Sequence, residues 1–191
     1  YIVWDDSGFD TDPGPGQTFT QSVRYQHFGA DGQPTGPSEM LSDTIGADWN
    51  AAIAISRDGS QVNVIWDDNL GNAGSNEDGI YGKIIGSEDY YRADDGAYSD
   101  FHGDPDIAYS TGDTFMVVWS EFVAPGSYAV HGSINGGPEF QINTTPHMHS
   151  NTMPKVVGLR DGNFLVVWND GGHGGNDDVL GQLFSGTGTK I

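Results

Sequence analysis

Three stretches of the chain concentrate carboxylates and carboxamides around glycine: DDSGFDTDPGPG at 5–16, DDNLGNAGSNEDG at 67–79 and NDGGHGGNDD at 169–178. Each begins and ends with acidic or amide side chains, so the two ends of one loop can converge on one point. A hard cation takes about six to eight oxygens from carboxylates, carbonyls and water, and glycine lets backbone carbonyls turn inward. The expected ligands are Asp5, Asp6, Asp67, Asp68, Asp78, Asp170 and Asp178, with Asp10, Asp12, Glu77 and Asp177 behind them, and calcium is the expected ion. A fourth loop, SEFVAPGS at 120–127, keeps only Glu121 and is expected to bind none. The competing reading is that these are solvated turns, where aspartate, asparagine and glycine belong for conformational reasons alone.

Two further sets of residues could do chemistry. PHMH (146–149) places His147 and His149 on one side of an extended segment, and His173 sits in a glycine loop near the C-terminus; together they form an alternative transition-metal set for zinc or copper. Trp49, Tyr90, Tyr91, Tyr98 and His102 gather flat rings beside acids, which suits the faces and hydroxyls of a sugar. Packing of the tyrosines between repeats is the competing explanation. Paired acids such as Asp5 and Asp6 invite a glycosidase reading, but that needs two carboxylates in different surroundings. Here the pairs recur along the chain, and no nucleophile-elbow, zinc-protease or phosphate-loop motif occurs. The expectation is therefore a non-catalytic protein.

These residues hang on a repeat. YIVWDD (1–6), DGSQVNVIWDD (58–68), GDTFMVVWSE (112–121) and DGNFLVVWND (161–170) are versions of one phrase: a turn, an apolar strand ending in tryptophan, then a polar pair. Trp4, Trp66, Trp119 and Trp168 are spaced 62, 53 and 49 residues apart, at or just above the period of blade-type arrays. A first strand precedes the phrase (51–55, 105–109, 154–159), a third follows it (22–28, 79–85, 128–134, 179–184), and a more polar fourth comes after that (38–43, 89–94, 139–144). No segment sustains helical periodicity. Alternation in 164–168 is apolar on both faces, as in a strand covered from both sides. The expected fold is all-β: four-stranded antiparallel repeats in a propeller of about four blades, with a β-sandwich of meanders as the alternative. The units run roughly 1–48, 49–103, 104–150 and 151–191, in a chain expected to be cut from a longer one, and the four tryptophans are assigned to the core.

Composition narrows the partners. With 27 acidic residues against 7 basic, the net charge of −20 repels nucleic-acid backbones and anionic membranes. No apolar run reaches the roughly 18 residues of a spanning helix. Cysteine is absent, which removes disulfides and thiolate metal sites.

Units three and four also carry a pattern, Px(V/I)xxLxDGxFxVVWxD followed by GxGQxF and FQ(I/V)NT. It rests on Pro105, Phe115, Val117, Val118, Trp119 and Phe140 to Thr144, then Pro154, Leu159, Asp161, Gly162, Phe164, Val166 to Trp168, Asp170, Gly181, Gln182 and Phe184. The pattern resembles a tandem repeat of large secreted and cell-surface bacterial proteins that often carry RTX-type calcium-binding nonapeptides. That nonapeptide is absent here. The resemblance implies a secreted or cell-surface location and an adhesive or ligand-binding role, and implies no reaction. The expected function is an extracellular, calcium-stabilised recognition or adhesion module with a glycan or other cell-surface ligand. The alternatives are a propeller-type glycosidase or lyase, whole or in part, and a structural spacer.

Overall fold

The computed structural model describes residues 1–6, 21–42, 47–69, 79–94, 102–111, 113–124, 127–144, 147–148, 152–173 and 176–191. Unit one contains β1 (Ile2–Asp6), β2 (Ser22–Gln26) and β3 (Glu39–Met40). Unit two contains β4 (Ala47–Ile55), β5 (Val62–Asn69), β6 (Gly79–Ile84) and β7 (Tyr90–Arg92). Unit three contains β8 (His102–Tyr109), β9 (Phe115–Ala124), β10 (Ser127–Ile134) and β11 (Phe140–Gln141), with β12 (His147–Met148) added beside the start of β10. Unit four contains β13 (Lys155–Gly158), β14 (Phe164–His173) and β15 (Asn176–Phe184). Each unit is its own antiparallel sheet, with neighbours in the sheet following chain order. Every described residue in regular structure is in a strand or bridge.

The first turn of a unit follows from its sequence. In DGS and DGN, Gly59 and Gly162 take φ of 76° and 91°, a left-handed conformation that costs a residue with a Cβ. Asp58 and Asp161 accept the N–H two residues on, from Ser60 and Asn163, closing the turn that feeds the tryptophan strand.

The four sheets pack in a row, each on the next, which is a propeller arrangement and not the two facing layers of a sandwich. Inner strands β4, β8 and β13 run side by side, and β1 lies against β4. One rule governs every interface: the tryptophan face of a unit packs on the opposite face of the unit before it. Trp66 and Val64 meet Val23 and Leu41; Trp119, Val117 and Phe115 meet Ile65, Ile80 and Ala93; Trp168, Val166 and Phe164 meet Met116, Val118, Val130 and Ile142. Losing a buried indole such as Trp119 costs roughly 3–5 kcal/mol.

The same rule corrects two sequence expectations. Trp66, Trp119 and Trp168 are buried, but Trp4 is only half-buried, because no described residue covers the tryptophan face of unit one. Strands β5 and β9 are buried on both faces along their cores, whereas β14 is not: Leu165 and Val167 are half-buried, and Val157 and Val179 stand exposed on the same outer face. No described residue covers the two outermost faces of the row.

Two repeated devices hold the rim where first and third strands begin. The residue ending the fourth strand caps a third-strand N–H: Ser42 Oγ takes Val23, Asp94 Oδ1 takes Ile80 and Asn143 Oδ1 takes Val130, which explains the asparagine of the FQINT phrase. The first strand opens with a left-handed residue just before its paired stretch: Asn50 (φ 54°), Asp104 (φ 52°) and Met153 (φ 40°). At Asn50 and Asp104 the register with the tryptophan strand slips, so both form β-bulges of the kind that re-aim side chains.

At the opposite rim the inner strands come very close. A Cβ on Gly158 would lie 1.9 Å from the carbonyl oxygen of Tyr109 in the preceding unit, so only glycine fits. Gly158→Ala is expected to destabilise the chain by roughly 1–3 kcal/mol or more, read as a fall in melting temperature. Gly36→Ala, where a Cβ meets nothing within 4 Å, is expected to change stability by less than about 0.5 kcal/mol.

Candidate active site

Asp5, Asp67 and Ser120 occupy one position in three successive units, directly after the tryptophan. Each faces the bulge of the next unit. The Asp5 carboxylate accepts the N–H groups of Asn50 (2.9 Å) and Ala51 (3.0 Å). Ser120 Oγ lies 2.6 Å from Thr152 Oγ1. Asp67 Oδ2 accepts from Asn50 Nδ2 at 2.9 Å, while its Oδ1, buried, has no hydrogen-bond partner. Across the interface the bulge of unit three presents Asp104, whose Oδ2 is also buried without a partner. The proline that follows, Pro105, removes the N–H that Asp67 could otherwise have taken.

Two aspartates close enough to feel each other's charge cannot both ionise cheaply. Burial pushes the Asp67 carboxyl up to about 7, with Asn50 opposing and the charges of Asp104 and Asp5 adding to the rise. Burial also raises Asp104, with Lys155 opposing. Both carboxyls are therefore raised, Asp67 to about 7 and Asp104 against the opposing charge of Lys155. Trp49 is the register partner of Asp67 and 45% exposed, so a flat indole stands beside the acid.

A second group lies on the tryptophan face of unit three. Glu121, His131 and Glu139 bring ligand-type atoms within 4.8 Å of one another, as no other trio of His, Asp or Glu does among the described residues. His131 Nδ1 is 3.0 Å from Glu121 Oε2 and bonded to Glu139 Oε1. Burial lifts Glu121 above its ordinary range, with His131 opposing and Glu139 reinforcing. His102 sits behind, 3.6 Å from Asp94, its pKa lowered chiefly by burial. Asp94 is held by Arg92 through two short bonds.

The sequence-predicted residues divide as follows. Asp5 and Asp67 meet at Asn50, Asp5 across the boundary between units and Asp67 within unit two. Asp68 and Asp170 are buried, Asp6 is near Arg24 at 3.6 Å, and Asp178 is opposite Asp170 across a strand pair. Asp78, Tyr98 and His149 lie outside the described residues. Tyr90 and Tyr91 are packed between units as the competing reading held: the Tyr90 hydroxyl donates to Leu41 O, that of Tyr91 to Asn63 Oδ1, and both rings stack on core aromatics. His102 is buried too. Of that glycan set, among the described residues, Trp49 alone presents its ring. His147 lies on β12 and His173 ends β14, strands that touch. Sequence reasoning missed Asp104 and Glu139; the signal for Asp104 was its column, shared with Asn50 and Met153 one place before Ala51, Pro105 and Pro154.

No protein-family model matches the chain, and comparison with curated proteins finds no match. Among solved structures it is similar to a thermostable family-43 glycoside hydrolase, at 16% identity over 85% of this chain and 67% of that one with a TM-score of 0.47. It is similar also to the family-43 endo-arabinanase from Bacillus licheniformis, at 11% identity over 90% of this chain and 67% of that one, again with a TM-score of 0.47. The expected recognition or adhesion module is corrected on this finding: both solved structures are glycoside hydrolases, in line with the alternative of a propeller-type glycosidase.

Because the Asp67 carboxyl has a folded pKa of about 7 against 3.8 for an ordinary aspartate, it lowers stability as pH rises. Below about 4 both folded and unfolded chains hold the proton; between about 4 and 7 the unfolded chain gives it up first; above 7 the full cost is felt. Asp67→Asn, which keeps an oxygen for Asn50, is expected to melt several degrees above the parent at pH 8 and level with it near pH 4, measured by thermal denaturation.

Proposed function

We propose that the chain is a propeller-type glycosidase, or the acid-bearing part of one. The observation that carries this reading is the Asp67–Asp104 pair, two carboxyl groups in one interface that burial raises alike but whose surroundings differ, Asn50 opposing the rise at Asp67 and Lys155 that at Asp104. Glycosidic cleavage needs that asymmetry: one acid to protonate the leaving oxygen, and one carboxylate to act on the sugar or on water.

Protonated Asp67 is the proton donor in this reading. Its proton passes to the glycosidic oxygen as the bond to the anomeric carbon breaks, leaving Asp67 a carboxylate, and Asp104 supplies the negative charge that meets the developing positive ring or takes a proton from the attacking water. Asp5 is a poor base, since two backbone N–H groups already occupy its oxygens. Trp49 gives a face on which a sugar ring can stack, and a neutral or cationic glycan suits a chain of net charge −20 better than a polyanion. A secreted or cell-surface location, where polysaccharide is met, fits this substrate class and a chain without cysteine.

The test is release of reducing ends from a panel of neutral plant and microbial polysaccharides and aryl glycosides. The folded chain is expected to hydrolyse at least one of them. Asp67→Asn is expected to lower kcat by about 10²–10⁴-fold with its fold intact by circular dichroism. The rate is expected to fall as pH rises through about 7, where the donor loses its proton. A folded chain inactive on the whole panel, or an Asp67→Asn variant as active as the parent, overturns the reading.

A further inference from the structure

The Glu121, His131 and Glu139 group plays no part in that reaction and lies elsewhere in the same interface, on the tryptophan face of unit three. Its geometry follows from register. Trp119 is opposite His131, and Glu121 is two residues on, diagonal to the imidazole; His131 is in turn opposite Gln141, which puts Glu139 on the other diagonal. Three side chains from β9, β10 and the approach to β11 thus converge on one face, and all three are largely buried.

Unit one shows what these positions require. Aligned on the tryptophan, Glu121, His131 and Glu139 correspond to Asp6, Arg24 and Ser38. There the guanidinium of Arg24 fills the space between the other two, 3.6 Å from Asp6 Oδ2, 3.3 Å from Ser38 Oγ and 3.4 Å from Ser38 O. Unit three replaces the guanidinium with an imidazole and the serine with a second carboxylate. One positive charge is lost and one negative charge is added in the same pocket. The single Nδ1 proton of His131 cannot serve two carboxylates: it bonds Glu139 Oε1, and Glu121 Oε2, though buried, accepts no hydrogen bond. The other charged groups near this face offer no relief. Arg92 is engaged by Asp94, and His102 Nε2 lies 3.9 Å from Glu121 Oε2 beside that same Asp94.

We infer that Glu121, His131 and Glu139 bind one divalent first-row transition-metal ion, of the zinc type, in the place that the Arg24 guanidinium fills in unit one. The donor set decides the class. Imidazole nitrogen with two carboxylate oxygens suits zinc, whose ligands sit about 2.0–2.2 Å away in a small four-coordinate shell. Calcium wants about six to eight oxygens and more room. Three protein ligands leave one position for water. The ion completes the buried face between units two and three, so its consequence is stability of that interface.

The experiment is thermal denaturation and calorimetric titration of the full chain, stripped with EDTA, against zinc chloride, with calcium chloride in parallel. One zinc per chain is expected, raising the melting temperature by several degrees at a hundredfold excess over the dissociation constant; calcium is expected to give no such rise. Glu139→Gln and His131→Gln are each expected to weaken zinc binding at least tenfold. The triple variant His147→Ala, His149→Ala, His173→Ala, which removes the other histidine set, is expected to bind as the parent does. Should His131→Gln fail to fold, Glu139→Gln carries the test alone. No zinc-specific stabilisation of the parent, binding undiminished in Glu139→Gln, or binding lost in the triple variant overturns the inference.

Discussion

A blade of four short strands has two faces and no interior, so it exists only by lending one face to a neighbour. Everything else in this chain depends on that constraint. It sets the tryptophan at the end of each second strand, where an indole reaches across to the preceding sheet, and it makes the interface the place where side chains become buried. Hydrophobic burial supplies the driving force for the row. Polar groups caught in the same interfaces must then find partners or change their protonation state, and both candidate sites arise there.

The two sites are variations on positions that elsewhere serve stability. After the tryptophan, Asp5 caps backbone N–H groups and Ser120 bonds Thr152, ordinary ways of tying one unit to the next. Asp67 keeps only one of its oxygens bonded, because the unit it faces offers an aspartate and a proline where its counterpart offers N–H groups. Two residues on, Asp6 has an arginine to face and Glu121 does not. Function in a repeat protein of this kind is legible as a departure from its own sister units.

Much of the architecture was readable because it is written at short range. Strand alternation, turn pairs such as Asp161-Gly162 and the spacing of the tryptophans lead to sheets in sequence order, and the sheets form in that order. What was not readable depends on pairing across distance. Tyr90 and Tyr91 looked like a binding surface because their flat rings lie beside acids in the sequence, yet the two point opposite ways and both directions lead indoors, one to Trp66 and one to Phe115. The acidic loops drew attention by their density, while the carboxylates that meet are scattered: Asp104 opens a first strand, and Glu139 precedes a fourth strand in a place filled by serine in unit one and tyrosine in unit two. Only the cross-strand register reveals that Glu139 and His131 are diagonal neighbours. Trp4 was misplaced for a different reason, since its motif is the same as the others and only its surroundings differ.

The two end faces of the row, which no described residue covers, bear on how the molecule comes apart. Cohesion here is a sum over three similar interfaces, so units one and four are each held from one side and units two and three from both. Opening then proceeds inward from the ends, and amide protons in β9, clasped between two sheets, exchange with solvent last. The same arithmetic makes the number of units adjustable in evolution: a whole unit inserted into the row meets, on either side, a face already shaped to receive it.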